Sequence, residues 1–551
     1  MKLSFKVIRL SVYGLMALVP ITAFSQNTPF VSPGEVLRNI EQNVTPVPTP
    51  GPTPLAPEPV PNAQALYLKQ LSGVTVDNDL IKDEIIKFWQ PYYGKPVTNQ
   101  DISKFKDWAW GQFRDAGYFA FLYTDIIPTA DGQNLGIKVF LPEVQKVRIV
   151  GKDDALVKRY AELIVKRMGK SVKQGSNVDT LSLEQLLESS VYDLPIDLEL
   201  NIRPTGSNDV DLIVTVNEKT SDPGKYRSAV VQVNNYGLNQ FGRGQLLGSA
   251  SFDGFTPGSS VSVMGQISQG VGYGRLDYEA PSEVLGGKVR FWAASVYSRN
   301  IRGGIAATSG TTQDYGLGLT HIVGSNRAMV FKSHVDVSQR FTKSNLQVAD
   351  IQIGNITDNQ LRFRLTADNE RYALKNIQRY DAMLVAGTDN DFGQYSKIQL
   401  AASYRTPLTD SGLSIQVRGN AQLAPSRNLD SYNRMSLGGV NGVRAYTTID
   451  GVGDAGVVGT IEMRQLTYQN HYVGVFYDGG VIKPNKTPIP GAYNADYALQ
   501  AVGLSFGGSF SNLSYSISIA KGIGGYAGYS ASNIESSPNN LRFNGALTYQ
   551  F

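Results

Sequence analysis

The last eleven residues of the chain, Leu541 to Phe551, alternate with a period of two. Leu541, Phe543, Gly545, Leu547, Tyr549 and Phe551 fall on one face, and Arg542, Asn544, Ala546, Thr548 and Gln550 on the other. A period of two puts successive side chains on opposite sides of a β-strand, so this segment has an apolar face and a polar face. Soluble sheets show that pattern too. A strand that ends a cysteine-free exported chain on an aromatic, after many strands like it, points to an outer-membrane β-barrel. There the apolar face meets lipid and the polar face a wet lumen. Phe543, Tyr549 and Phe551 are the residues that carry this terminal barrel signal.

The same rhythm runs back to about Tyr226. Leu361, Phe363 and Leu365 alternate with Arg362, Arg364 and Thr366, and Val457, Gly459, Ile461 and Met463 with Val458, Thr460, Glu462 and Arg464. Strands of 10 to 14 residues are expected, separated by Gly/Ser/Asn turns. Bacterial single-chain barrels have an even number of strands, so the segmentation predicts a transmembrane antiparallel barrel of sixteen over residues 221–551. A large soluble sandwich or propeller is the bland alternative. It leaves the terminal strand unexplained, and no blade-length repeat is visible.

The N-terminus reads as a signal peptide, residues 1–25. Lys2, Lys6 and Arg9 precede an apolar run from Leu10 to Thr22, and Ala23-Phe24-Ser25 offers small residues at the cleavage positions. That run is short of the ~20 residues a spanning helix needs. An exported chain without such helices can sit in a second membrane only as a closed barrel, because lipid cannot satisfy an open sheet edge. The net charge of +4 is too small to argue for nucleic acid. With no Cys and three scattered His (His321, His334, His471), no local metal motif is present, and no metal or cofactor is expected. No catalytic signature stands out, so the chain does not read as an enzyme.

Between signal and barrel lie four short zones. Residues 26–43 hold a helix start, Ser32-Pro33-Gly34-Glu35, followed by the apolar stripe Val36, Leu37 and Ile40. A helix of about ten residues is marginal alone in water and must dock. It either packs on a neighbouring domain or acts as a removable plug. Residues 44–61 carry eight prolines and must be extended, at ~3.1 Å per residue or roughly 55 Å in all. Residues 62–143 and 144–220 are two related units. Gly94-Lys95-Pro96-Val97 corresponds to Gly169-Lys170-Ser171-Val172, and Pro128-Thr129 to Pro204-Thr205. Each unit predicts strand, helix, helix, strand, strand. In the first, Leu80, Ile81, Ile85 and Phe88 have helical spacing, Thr98 to Asp101 form a cap, and Gly117 closes the second helix.

One barrel segment breaks the rhythm. Residues 424–454 show no alternation and contain Val443-Arg444-Ala445-Tyr446 among glycines, which suggests a folded loop turned inward. Downstream, Tyr472, Gly474, Phe476, Asp478 and Gly480 share one face, while Val473, Val475 and Tyr477 should meet lipid. Asp478 is thereby placed in the lumen, where a charge must be wet or paired. Arg444 could grip it bidentately if the loop folds in; the alternative is that both charges are simply solvated.

These residues resemble a known family. Two modules of this size before a barrel look like POTRA domains. Val443-Arg444-Ala445-Tyr446 resembles the Val-Arg-Gly-Tyr loop motif of the barrel superfamily that includes the outer-membrane assembly factors, with Ala445 where that family usually has Gly. Phe476-x-Asp478-x-Gly480 matches its inner-wall motif. The helix with Pro33, Gly34, Val36, Leu37 and Ile40, the proline linker and just two modules resemble the TpsB transporters of two-partner (type V) secretion. The resemblance implies an Arg444–Asp478 salt bridge, a helix that plugs the pore at rest, and periplasmic modules that hold an unfolded TpsA-type exoprotein. It further implies a monomer in the outer membrane of a Gram-negative bacterium, export without ATP, and biogenesis through periplasmic chaperones and the barrel-assembly machinery. A barrel-assembly factor is the first alternative, and a passive porin a weaker one. No residue selects among adhesin, haemolysin, growth-inhibition toxin or haem-acquisition cargo.

Overall fold

The computed structural model describes residues 33, 36–38 and 40, and residues 64 to 551 except 130–131, 169–174, 179–182, 184–186, 188, 206–208, 220–222, 303–306, 326–328, 348–349, 370–375, 410, 469, 491 and 525–540. The predicted signal peptide, the proline-rich stretch at 44–61 and Gly34 lie outside the described residues.

Sixteen antiparallel strands close into one barrel. In chain order they are β1 Tyr226–Asn234, β2 Gln245–Asp253, β3 Ser260–Ile267, β4 Val271–Ser282, β5 Gly287–Arg299, β6 Thr308–Ser325, β7 Val330–Leu346, β8 Ile351–Asp368, β9 Ile377–Asp389, β10 Gly393–Pro407, β11 Leu413–Leu423, β12 Ala455–Tyr468, β13 His471–Lys483, β14 Tyr497–Phe510, β15 Leu513–Gly522 and β16 Leu541–Gln550. The alternation read from the sequence sorts the two faces. On β8, Leu361, Phe363 and Leu365 are exposed on the outer wall, and Arg362, Arg364 and Thr366 are buried inside. On β16, Leu541, Phe543, Leu547 and Tyr549 face out, and Asn544 and Thr548 face in. An apolar outer wall is what lipid requires.

Two departures from the expected strand plan are informative. β6 and β8 each run to 18 residues and β7 to 17, beyond the predicted 10 to 14. A tilted membrane strand needs only ~9–11 residues, so these three continue past the apolar band. The join between β16 and β1 is the shortest in the barrel, with Ala546 to Gln550 facing Asn234 to Val230. The Asn235 side chain reinforces it, donating to Phe543 O at 3.0 Å and accepting from Gly545 N at 2.8 Å.

Two α+β modules precede the barrel. In the first, Gly132–Phe140 is the central strand, parallel to Leu71–Val76 and antiparallel to Phe121–Thr129. In the second, Asp209–Glu218 takes that place between Glu143–Gly151 and Ile196–Pro204. Each sheet is covered by helices: Lys82–Trp89 and Asn99–Asp115 in the first, Asp154–Met168 in the second. The cap read at Thr98 forms a reciprocal box. Asp101 N donates to Thr98 Oγ1 at 3.3 Å, and Thr98 N to Asp101 Oδ2 at 3.0 Å. Gly117 ends the helix at φ +85°. The first helix starts later than its apolar spacing predicts. Asn78 Oδ1 accepts from Leu80 N at 2.9 Å, and this local turn leaves Leu80 exposed outside the helix.

The second module touches the barrel at the β4–β5 turn. Tyr160 Oη donates to Glu283 Oε1 at 2.5 Å, and Arg159 Nη2 to Glu283 Oε2 at 3.1 Å. Burial, with help from Glu283, pushes the Tyr160 phenol up to about 12, so it remains a donor. The β4–β5 turn therefore marks the end of the barrel that carries the modules.

Candidate functional site in the lumen

The segment between β11 and β12 folds back into the barrel. Inside it, Met435–Ser436 pairs with Val452–Gly453 as a two-stranded ladder, and Arg434 Nε binds Asp454 Oδ1 at 2.7 Å. The ladder narrows the loop's stem and delivers residues 443–446 as a tight turn. Val443 N donates to Leu437 O at 2.7 Å and Tyr446 N to Val443 O at 3.0 Å. Val443, Ala445 and Tyr446 are buried and pack with Phe476, Leu499 and Ala520 on the wall. Positive φ occurs at Asp350 and Ser511 alone among the described non-glycine residues, so Ala445 has an ordinary backbone and its Cβ contributes to this cluster.

Arg444 is the charged centre of the tip. Its Nε and Nη2 bind Asp478 Oδ2 and Oδ1, each at 2.9 Å, and its own backbone N–H reaches Asp478 Oδ2 at 3.0 Å. Its remaining guanidinium nitrogen, Nη1, donates to Glu462 Oε2 at 2.9 Å. The guanidinium carbon lies 3.2 Å from the Phe476 ring centroid. Asp478 is fully buried and also accepts from Thr460 Oγ1 at 2.8 Å. Glu462 takes further bonds from Arg464 Nε at 2.6 Å and Ser505 Oγ at 2.8 Å. Each buried charge thus has several partners, the condition under which a buried ion pair is tolerable.

Of the residues singled out in the sequence, the structure brings together Val443, Arg444, Ala445, Tyr446, Phe476 and Asp478. Gly480 lies behind them, beside Leu437 of the loop and Val458 of the wall. Sequence reasoning missed Glu462, Thr460, Gly503 and Asn544. Glu462 and Thr460 share the inward face of β12, and a second inward acid beside the Asp478 strand was the available signal. A Cβ on Gly503 would lie 2.4 Å from the Phe476 ring, so the bare glycine on β14 makes room for the ring on which Arg444 stacks. Asn544 on β16 donates to Arg444 O at 3.1 Å, tying the tip to the last strand. Phe543, Tyr549 and Phe551 take no part in the lumen and are exposed on the outer wall.

The N-terminal residues also lie in the lumen. Residues 33, 36–38 and 40 are helical, and Val36, Leu37 and Ile40 are buried against Met264, Tyr273 and Val296 of the wall, Phe241 of the β1–β2 connection, and Tyr432 and Ile449 of the loop. Arg38 is fully buried, with Nη2 donating to Thr448 O at 3.2 Å. A Cβ on Gly310 would meet Pro33 Cγ at 2.6 Å. The wall residues involved belong mostly to the half of the barrel away from the modules. A helix too short to be stable in water is held by this apolar contact.

A closed sixteen-stranded barrel with two α+β modules at one end, and a lumen filled by its own loop and helix, defines an outer-membrane β-barrel protein with a POTRA-like N-terminal region. Residues 276–509, which include both lumen motifs, match the family model described as haemolysin secretion/activation protein ShlB/FhaC/HecB, the TpsB transporters of two-partner secretion. Among solved structures, the fold is similar to CdiB from Escherichia coli, at 18% identity and TM-score 0.53 over 95% of this chain and 99% of that one. It is similar also to CdiB from Acinetobacter baumannii, at 15% identity and TM-score 0.53 over 94% and 97% of the two chains. A search of curated proteins finds no match to the chain.

Proposed function

We propose that this protein exports one dedicated large exoprotein of the TpsA type across the outer membrane, through the barrel, without ATP. The observation that carries this reading is the kind of filling found in the lumen. Both obstructions, the helix and the loop, are held by non-covalent side-chain contacts to the wall, so both can leave without breaking the barrel. A passive channel has no use for such a filling or for two preceding modules. The modules would lie in the periplasm and hold the unfolded cargo. A sheet edge pairs with any extended chain through main-chain hydrogen bonds, so it suits a long client of varied sequence. Folding of the cargo outside would supply the drive. The protein would act as a monomer, with periplasmic chaperones and the barrel-assembly machinery needed only for its own insertion.

A role in inserting other membrane proteins is the second reading. The short β16–β1 join favours it, because that is where the wall has least to lose by opening. Single-channel conductance of the purified protein, with and without residues 28–43, tests the main proposal. Small flickering currents that grow on deletion support a displaceable stopper. Large steady currents in the intact protein overturn it in favour of a porin-like channel.

A further inference from the structure

The loop has a second attachment, at its base, on a different part of the wall. Asn433 is its peg. Its side chain donates to Asp358 Oδ2 at 3.0 Å and Tyr395 Oη at 2.8 Å, and accepts from Gln360 Nε2 at 3.0 Å. Its carbonyl accepts from Lys397 Nζ at 3.2 Å and Gln422 Nε2 at 3.1 Å. Asp358 is itself paired with Arg340 and accepts from the Tyr395 hydroxyl. These partners stand on β7, β8, β10 and β11, whereas Arg444 is held by β12, β13 and β16.

The neighbouring residue carries the consequence. The Tyr432 ring lies 3.3 Å under the Arg340 guanidinium, and the same ring belongs to the apolar cluster that encloses Val36, Leu37 and Ile40 of the N-terminal helix. Asn433 fixes the backbone beside Tyr432, and Arg340, oriented by Asp358, fixes the ring. Tyr432 therefore links the base of the loop to the apolar cluster around the helix.

We propose that Asp358 and Asn433 form a second latch that positions Tyr432 against the N-terminal helix and so retains the helix in the lumen, separately from the Arg444 tip. This inference rests on the reading of the helix as a displaceable stopper.

The test is single-channel conductance of the full chain in planar bilayers, for wild type, Asn433→Leu, Tyr432→Ala and the deletion of 28–43. Asn433→Leu keeps the volume and removes the side-chain hydrogen bonds. Tyr432→Ala keeps Asn433 and Asp358 and removes the ring. Heat-modifiable mobility on gels selects folded barrels, so a variant that fails to fold is set aside and the other read. The open fraction is expected to rise about tenfold, which is ~1.4 kcal/mol of lost retention and close to the upper end of what one ordinary hydrogen bond contributes net. Because the chain has no cysteine, a Leu37→Cys substitution gives an independent reading. A membrane-impermeant maleimide should label it faster in the Asn433→Leu background. If the deletion opens the channel and neither folded variant does, with labelling also unchanged, the latch is overturned and the stopper stands. If the deletion itself changes nothing, the stopper reading fails and the latch falls with it.

Discussion

Glu462 accepts a 2.9 Å hydrogen bond from Arg444 Nη1 while Asp478 takes the other two guanidinium nitrogens, so one arginine holds two acids on adjacent strands. β12 and β13 present the two carboxylates side by side, and Arg464 offsets the extra negative charge from the same face of β12. The guanidinium geometry is what makes this possible, because a planar fork can serve two directions at once.

Arg444→Ala should therefore abolish most secretion while leaving insertion of the barrel intact. The substitution strands Asp478 in a fully buried position with Thr460 as its remaining side-chain donor, and removing one partner of a buried pair costs roughly 3–5 kcal/mol. That cost falls on docking of the loop, since the wall strands keep their ladder. Arg444→Lys should be intermediate, because an ammonium cannot bind both acids with paired bonds. Cargo release into the medium, set against the amount of folded barrel in the outer membrane, separates the two effects. Normal secretion by Arg444→Ala would sink the assignment.

Gly503→Ala should weaken the same tip without touching a charge. The new Cβ would lie 2.4 Å from the Phe476 ring and 2.2 Å from Ile519 O, so the ring must lift or the ladder shift. Overpacking of this kind costs typically ~1–3 kcal/mol. Since Arg444 stacks on the same ring, with its guanidinium carbon 3.2 Å from the centroid, the losses in Gly503→Ala and Arg444→Ala should be less than additive in a double-mutant cycle of secretion. Strict additivity would mean that Phe476 does not support Arg444.

The alternation in the sequence was enough to place the barrel because lipid and lumen impose opposite demands on successive residues, and Leu361 to Thr366 obey them without exception. The tip was legible only as one of two possibilities: an acid on an inward face, Asp478, must be wet or paired, and Arg444 was the cation that an inward loop could bring to it. Glu462 was hidden by the same logic. On β12 it alternates with apolar residues just as any wet lumen residue would, and Arg464 two residues on already offers it a cation, so its bond to Arg444 shows only once the loop's path is known. Asn433 and Tyr432 carry no pattern at all, since their role depends on strands about forty to ninety residues earlier in the chain meeting them in space. Gly503 reads in sequence as one more small residue in a strand.

Ala445→Gly should change little, although glycine stands at that position in the loop motif that residues 443–446 resemble. Ala445 has no positive φ and its Cβ is buried with Tyr446 and Phe476. Glycine there would loosen the undocked loop and lose a methyl contact, so a loss of up to ~1 kcal/mol is expected, with no gain. Secretion at wild-type level, or slightly below, fits. A marked increase would show that alanine strains the tip.

Deleting Phe551 should lower the amount of folded barrel in the outer membrane, and the structure separates two possible causes. The ring is exposed on the outer wall and meets Tyr549 edge-on, with centroids 4.8 Å apart. The backbone of the same residue closes the seam: its N–H donates to Ala229 O at 3.0 Å, and its carbonyl accepts from Tyr226 Oη at 3.0 Å. Because the β16–β1 join is the shortest in the barrel, those two bonds are a sizeable part of it. Phe551→Ala keeps the backbone and removes the ring, whereas deletion removes both. If the aromatic is a signal read during assembly, the two variants should show equally low levels. If the seam matters more, Phe551→Ala should insert normally and the deletion alone should yield barrels that lose their heat-modifiable mobility at lower temperature.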